Sequence, residues 1–400
     1  MVNNLRDYMD TTKKYKKKAL LTRFGGIGDV IPVLLAAGQL KKQGWEVHVA
    51  LREDDHGNKQ TDLLQNTSYV DEAYDLKQIG PWGTRCIQTP IGYVDIRVVY
   101  NQYDEVIDFM NVVEGNSTSP HSIVDKPCTE WRRSRNSNYT NWIDLHMSWI
   151  NVNPKEVSSD EKRPKFKLSQ TEIKWGKEVK KGHSHLFVIS PFSSSLARSW
   201  YQARYMPEKL LTAHPKAIVA LWDSYTNKWT MHTSTKKYHL EQPSMTSYRA
   251  SMALVGASDL FIGVDTGFTH VAEGLGKKHI ALYSTVPWWT RAKYYKHQTH
   301  IDMGEINPEY YTFSLSKGDP LNMKEGLENL SEREHKLGAM NDARVSEQRA
   351  CEELNTTPNG LNMELKALVA KKQGFEEMQA KALTDVKVDM VMEKVEELCQ

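Results

Sequence analysis

Cysteine is scarce in this chain. Among its 400 residues there are four, Cys86, Cys128, Cys351 and Cys399. No two are spaced like a CxxC redox pair or a zinc ribbon, so no disulfide framework is visible and a reducing, cytoplasmic setting is the expectation. Charge of one sign is lacking too. The formal net charge is +2, which gives no global signature of nucleic-acid or membrane binding and leaves only local patches to consider. No apolar run approaches the roughly 18 residues of a membrane helix, so integral membrane association is not expected. The lysines of MVNNLRDYMDTTKKYKKKALLTRF resemble a signal peptide's basic start, but the apolar run after them breaks at Arg23 and no small-residue cleavage site follows. They read as a solvated lead-in to the first strand. The lesser reading is weak peripheral contact with an anionic membrane or nucleic acid.

Missing motifs narrow the chemistry further. There is no GKS/T, which excludes a P-loop. GxGxxG is absent as well: after Gly25, Gly26 and Gly28 the next glycine is Gly38. No GxSxG elbow supports a serine hydrolase. The fourteen histidines include no HExxH and no convincing ligand triad, so no metal site is expected.

What is present is a repeated grammar. KALLTRF reads as a strand, Asp29 to Gln43 as a helix stopped by Gly44, and EVHVALRE as a second strand. This βαβ unit implies a parallel sheet with helices on both faces. Weaker apolar segments follow at Tyr69 to Leu76 and Glu105 to Phe109, then NWIDLHMSWI as a helix or buried segment. Residues 153 to 185 are lysine-rich with Pro154 and Pro164 and read as linker and surface. The alternation then restarts: HLFVISPF, MPEKLLTAH, AIVALW, SYRASMALVGA, DLFIGVD, FTHVAEGLG and KHIALYS alternate as strand and helix. The expected fold class is α/β, with two doubly wound Rossmann-like domains facing a cleft and a helical C-terminal tail. The boundaries are 1–175, 176–320 and 321–400, the last a charged amphipathic extension packing on the domains.

Three segments carry candidate chemistry. RFGGIGDV places Asp29 directly after a glycine turn, at a strand-to-helix junction. Asp29 is either a helix cap or a general base taking a hydroxyl proton. In GVDTGFTH, Asp265 can accept from a ribose hydroxyl or organise its loop. Thr266 can cap the next helix, N–H groups from Gly267 onward suit an anion, and His270 can add a proton donor. SPFSSSLARSW follows a strand with three serines and Arg198, a set suited to a diphosphate. The aromatic stretch from Pro287 to Tyr295, which includes Arg291, lines a ligand site or packs an interface between domains.

In GGIGDVIPVLLA, YDEVIDF, SSSLARSW and GVDTGFTHVAEGLGKKHIALYS, in this order and spacing, the chain resembles glycosyltransferase family 9, the heptosyltransferase group, from about residue 18 to 300. The resemblance implies a GT-B architecture and an inverting, metal-independent transfer from a nucleotide-diphosphate sugar, ADP-, UDP- or GDP-linked, with no other cofactor. It implies Asp29 as the base, with Gly25, Gly26 and Gly28 as the acceptor-side loop; Asp108 and Glu114 are the reserve candidates. Ser194, Ser195, Arg198, Thr266 and Gly267 correspond to the donor-phosphate residues, with arginine at 198 where the family usually has lysine. Met245, Asp265 and His270 correspond to the nucleotide contacts. The implied acceptor is a lipopolysaccharide-core or other glycan sugar. The basic runs WRRSRNSNY and KRPKFK raise a hydroxymethylated DNA base as the other acceptor, in which case the setting is the host cytoplasm of a viral enzyme. An epimerase on the same fold, or a non-catalytic nucleotide-sugar or nucleic-acid binder, are the rival readings.

Overall fold

The computed structural model describes residues 16–53, 58–79, 84–90, 92–109, 141–193, 198–223, 228–241, 247–284, 287–306, 383 and 385–399. Two sheets dominate. The first contains β1 (Lys18–Arg23), β2 (Glu46–Arg52), β3 (Glu72–Ile79), β4 (Thr84–Thr89), β5 (Gly92–Asp95) and β6 (Glu105–Asp108) in the order β5-β4-β3-β2-β1-β6. β1 pairs in parallel with β2 and β6, and β2 with β3, while β4 and β5 add an antiparallel margin. The second contains β7 (Leu186–Ser190), β8 (Ile218–Asp223), β9 (Lys228–His232), β10 (Lys237–His239), β11 (Leu260–Val264), β12 (His279–Tyr283) and β13 (Gln298–Asp302). Its order is β10-β9-β8-β7-β11-β12-β13, parallel from β8 to β13 and antiparallel at β9 and β10.

The central strands are apolar along their whole length because both faces of a parallel sheet are covered. β7, β11 and β12 are buried at every position. Helix α1 (Ile27–Lys42) follows the glycine turn and buries Val30, Ile31, Val33, Leu34, Leu35 and Leu40. Gly44, at φ +89°, turns the chain out of this helix in a conformation that favours glycine. Helix α2 (Trp142–Trp149) packs on α1 and is capped by Asn141, whose side chain accepts from the Ile143 N–H.

Chain contacts divide the molecule into two units. One comprises Met1–Lys177, Gln242–Gly256 and Glu273–Gly276; the other comprises Glu178–Glu241, Ala257–Ala272 and Lys277–Gln400. The segment read as linker contains helix α3 (Gln170–Lys180). Within the first unit, the buried Glu172 forms a two-point ion pair with the buried Arg249, which also donates to the Lys167 carbonyl. Arg249 lies on helix α5 (Ser247–Ala257); helix α4 (Met206–Ala213) precedes it in the chain, and α6 (Gly267–Gly274) follows. Two short helices, α7 (Trp288–Ala292) and α8 (Met303–Ile306), flank β13.

In the tail expected from residue 321, the described part is Leu383 and the segment to helix α9 (Val388–Cys399). Leu383, Val386, Val388, Val391, Met392 and Val395 join the core of the second sheet with Trp200, Leu210 and Ile262. The remaining residues of that expected extension lie outside the described residues.

Candidate functional site

β7, β11 and β12 are adjacent and parallel, so the segments leaving their carboxyl ends emerge side by side. In open α/β sheets this edge is where ligands bind. β7 leads to Arg198, β11 to Asp265-Thr266-Gly267 and β12 to α7, which carries Arg291. Asp265 sits among them. Its Oδ2 is 3.5 Å from an Arg198 guanidinium nitrogen and 3.7 Å from Arg291 Nε. The side chains of Asp265 and Arg291 are each only 9% exposed, against 30% for Arg198. Burial alone would raise the Asp265 carboxyl. The charges of Arg291, Arg198 and His270 outweigh it and hold the group below its ordinary value, so it stands as a carboxylate.

The start of α6 differs from expectation at one residue. Thr266 reads as the cap of this helix, but its Oγ1 is buried with no hydrogen-bond partner among the described residues. Thr269 ties the turn instead: its N–H donates to the Thr266 carbonyl at 3.1 Å and its hydroxyl to the Val264 carbonyl at 2.6 Å. Thr269 is the third residue of the helix, within its first turn, where its short branched side chain reaches back to the strand end. Beside it on the helix, His270 Nδ1 lies 2.5 Å from the Tyr295 hydroxyl, with the rings edge to face.

Ser194, Ser195 and Met245 lie outside the described residues. The ends of the serine loop are held: the Ser193 N–H donates to Ser199 Oγ at 3.2 Å and the Trp200 N–H to the Pro191 carbonyl at 2.8 Å. Behind it the fully buried Trp200 indole donates to the Val386 carbonyl at 2.9 Å.

In the first unit, the glycine turn is built around Asp29. Gly26 is the N-cap of α1 and donates its N–H to Asp29 Oδ2 at 2.8 Å. Asp29 Oδ1 lies 3.2 Å from the buried Arg23 guanidinium, which also donates to the Phe109 carbonyl at 3.0 Å. A Cβ on Gly25 would stand 2.7 Å from Asp29 Oδ2 and 3.1 Å from Arg23 Nε, so position 25 admits glycine alone without displacing the carboxylate. Gln60 fixes the turn by donating to the Gly25 carbonyl at 2.6 Å. Gly28 lies within the first turn of α1. Asp29 therefore does cap the helix, and its side chain remains 26% exposed. The reserve candidate Asp108 is taken up in a buried pair, accepting from Thr22 at 3.0 Å and Arg85 at 2.8 Å. Glu114 lies outside the described residues.

Three of the four cations of the basic run KRPKFK are held in ion pairs, against two carboxylates. Lys162 pairs with Asp144 at 2.8 Å, Arg163 and Lys165 both pair with Asp160, and Phe166 is buried. WRRSRNSNY lies outside the described residues. Arg291 and Tyr295 are visible in the sequence only as members of an aromatic-rich stretch. The cue that singles out Arg198, a cation soon after a strand end, applies equally to Arg291.

Residues 141–314 match the family model for glycosyltransferase family 9 (heptosyltransferase), which supports a nucleotide-sugar glycosyltransferase and bears out the resemblance read from the motifs. The glycine turn and Asp29 precede the matched segment. Among curated proteins none matches the chain. Among solved structures, a family 9 glycosyl transferase from Veillonella parvula DSM 2008 is 13% identical, with 77% of this chain and 92% of that one covered and a TM-score of 0.51. The ADP-heptose lps heptosyltransferase II of E. coli is also 13% identical, with 80% and 99% covered and a TM-score of 0.48. The Veillonella likeness shows the fold, the two-sheet α/β architecture of a GT-B enzyme.

Proposed function

Starting from this family 9 likeness, we propose that the chain is a glycosyltransferase moving a sugar from a nucleoside-diphosphate sugar to an acceptor hydroxyl, with inversion and without a metal ion. One observation carries the reading: Arg198, Asp265 and the start of α6 converge at the carboxyl ends of the adjacent strands β7 and β11. A helix start offers N–H donors and a partial positive charge, and Arg198 adds a full one; together they suit a diphosphate. Asp265, ionised and buried, accepts from a ribose hydroxyl, and His270, in the first turn of α6, adds a proton donor.

In the reaction the acceptor oxygen attacks the anomeric carbon opposite the leaving diphosphate. The bond from that carbon to the phosphate oxygen breaks, and its electron pair leaves with the diphosphate. Arg198 and the start of α6 stabilise the charge that develops there, the role a divalent ion plays in other transferases. Asp29 takes the acceptor proton. Its carboxylate is aimed by two donors, Gly26 N–H and Arg23, which fix its position before the acceptor arrives. The acceptor we favour is a glycan hydroxyl. Ion pairing of Lys162, Arg163 and Lys165 lowers the net charge of the KRPKFK run, one of the basic features that raised modified DNA.

The test is a mass-spectrometric screen of ADP-, UDP- and GDP-sugars against lipopolysaccharide-core fragments and hydroxymethylated DNA, with and without a chelator. Sugar transfer to a core fragment, undiminished by chelator, is the expected result. Transfer to DNA alone would overturn the acceptor assignment. Conversion of a donor without any acceptor would identify an epimerase instead.

A further inference from the structure

We propose that Arg291 is a second cationic ligand of the donor diphosphate, and that Asp265 holds Arg198 and Arg291 in position until the phosphates arrive. This rests on the nucleotide-sugar reading above and adds to it a residue that the motifs did not supply.

The two guanidiniums share a single carboxylate oxygen, Asp265 Oδ2, at 3.5 and 3.7 Å. Tight charge-assisted pairs close to about 2.7–2.9 Å. Neither arginine is therefore drawn fully onto Asp265, although Arg291 and Asp265 are both nearly buried. At this separation each pair keeps most of its Coulomb attraction but lacks the short charge-assisted hydrogen bond. A diphosphate carries more than one negative charge and several acceptor oxygens, enough to close both contacts at once. A second observation at the same place points to a ligand of that kind: Thr266 Oγ1 is buried with no partner among the described residues, next to the start of α6. In this proposal that hydroxyl turns to donate to a phosphate oxygen when the diphosphate binds.

Arg291 also stands on a fixed mount. The Trp288 N–H donates to Asp302 Oδ2 at 2.9 Å, Thr290 Oγ1 donates to the Pro287 carbonyl at 2.7 Å, and Ala292 packs with Ala281 and Tyr283. Arg198 sits at the end of the serine loop and is the more exposed of the two. The arrangement assigns first contact to Arg198 and the fixed, inner contact to Arg291. A planar guanidinium held this way presents its donors as a fork, which a lysine at the same position does not.

The experiment is calorimetry on the full chain with inorganic pyrophosphate, with ADP, GDP and UDP, and with the corresponding nucleosides. For the diphosphate that binds the parent protein, Arg291→Ala is expected to weaken binding about 10- to 100-fold, with pyrophosphate following and the nucleoside unchanged. Arg291→Lys should fall between, at several-fold. Diphosphate affinity equal to the parent in Arg291→Ala would overturn the proposal, and so would equal weakening of diphosphate and nucleoside. If Arg291→Ala does not fold, Arg291→Lys decides: a selective diphosphate loss supports the role, and parent-like binding overturns it. If the parent binds none of the probes, the nucleotide-sugar reading itself fails and this inference with it. Parent binding with no effect at Arg291 removes only the inference.

Discussion

Asp29 accepts from Gly26 N–H, pairs with Arg23 and closes the start of α1, so capping is an observed property of this carboxylate. An asparagine side chain at this position would cap nearly as well as aspartate but cannot take a proton. Asp29→Asn is therefore expected to leave donor affinity intact while turnover falls about 10²- to 10⁴-fold, the scale of general-base catalysis. A folded variant with near-parent turnover and intact donor binding would take Asp29 out of the mechanism. Gly25 supplies an independent probe of the same carboxylate. In Gly25→Ala the new methyl would meet Asp29 Oδ2 at 2.7 Å, so the carboxylate must move while its chemistry is retained. Turnover should drop with little change in nucleoside-diphosphate affinity, because the affected atoms all belong to the first unit. Kinetics beside calorimetry separate the two effects. Asp29 is legible in the sequence because a glycine turn, an acid and a helix are neighbours along the chain. The 3.7 Å approach of Arg291 to Asp265 is not, because local spacing carries no such distance.

At the scale of elements, legibility follows burial. β1, β2, β7, β11 and β12 read directly as apolar runs, since both faces of each strand are covered. The antiparallel margins β4, β5, β9 and β10 do not read as strands. They are mixed in polarity, β5 and β10 are also short, and β10 is exposed at all three positions. Helix α3 reads as linker for a related reason: it is rich in lysine and its buried positions are Glu172 and Gly176, neither of which signals a core. Its anchor is polar, the Glu172–Arg249 pair. Burial by itself raises the Glu172 carboxyl, but the Arg249 guanidinium and the Ser169 N–H outweigh it and hold the group below its ordinary value. The sign follows from linkage. A depressed carboxylate contributes stability that is complete above the unfolded value, about 4.3, and is lost as pH falls through the folded value. Glu172→Gln should therefore be less stable than the parent near neutrality, and the gap should narrow as pH drops below about 4. Urea melts across that range check it, and a gap independent of pH would mean that the pair's charge contributes nothing.

For the whole molecule, the dominant long-range feature is the return of residues 383–399 to the second sheet. Six of their side chains share one core with Trp200. At about 1.5 to 3 kcal/mol for each buried apolar side chain, that contribution is comparable to the entire stability of a typical domain. Removing residues 383–400 is expected to abolish cooperative unfolding of the second unit while the first retains its hydrogen-exchange protection. Equal protection of both units in the truncated chain would show that α9 is an accessory. Trp200→Phe is the mild version. It keeps most of the ring but strands the Val386 carbonyl, which should cost about 1 to 3 kcal/mol in a urea melt.

That same hydrogen bond spans 186 residues, and this sets a schedule for biosynthesis. At about 5 to 20 residues per second, the partner of Trp200 emerges roughly 10 to 40 s after the indole does. Through that interval the nascent second sheet holds an uncovered apolar face, while the first sheet, complete by Asp108 among the described residues, can already form. Ribosome-bound chains stalled before residue 383 should therefore recruit a chaperone to the second sheet and not to the first.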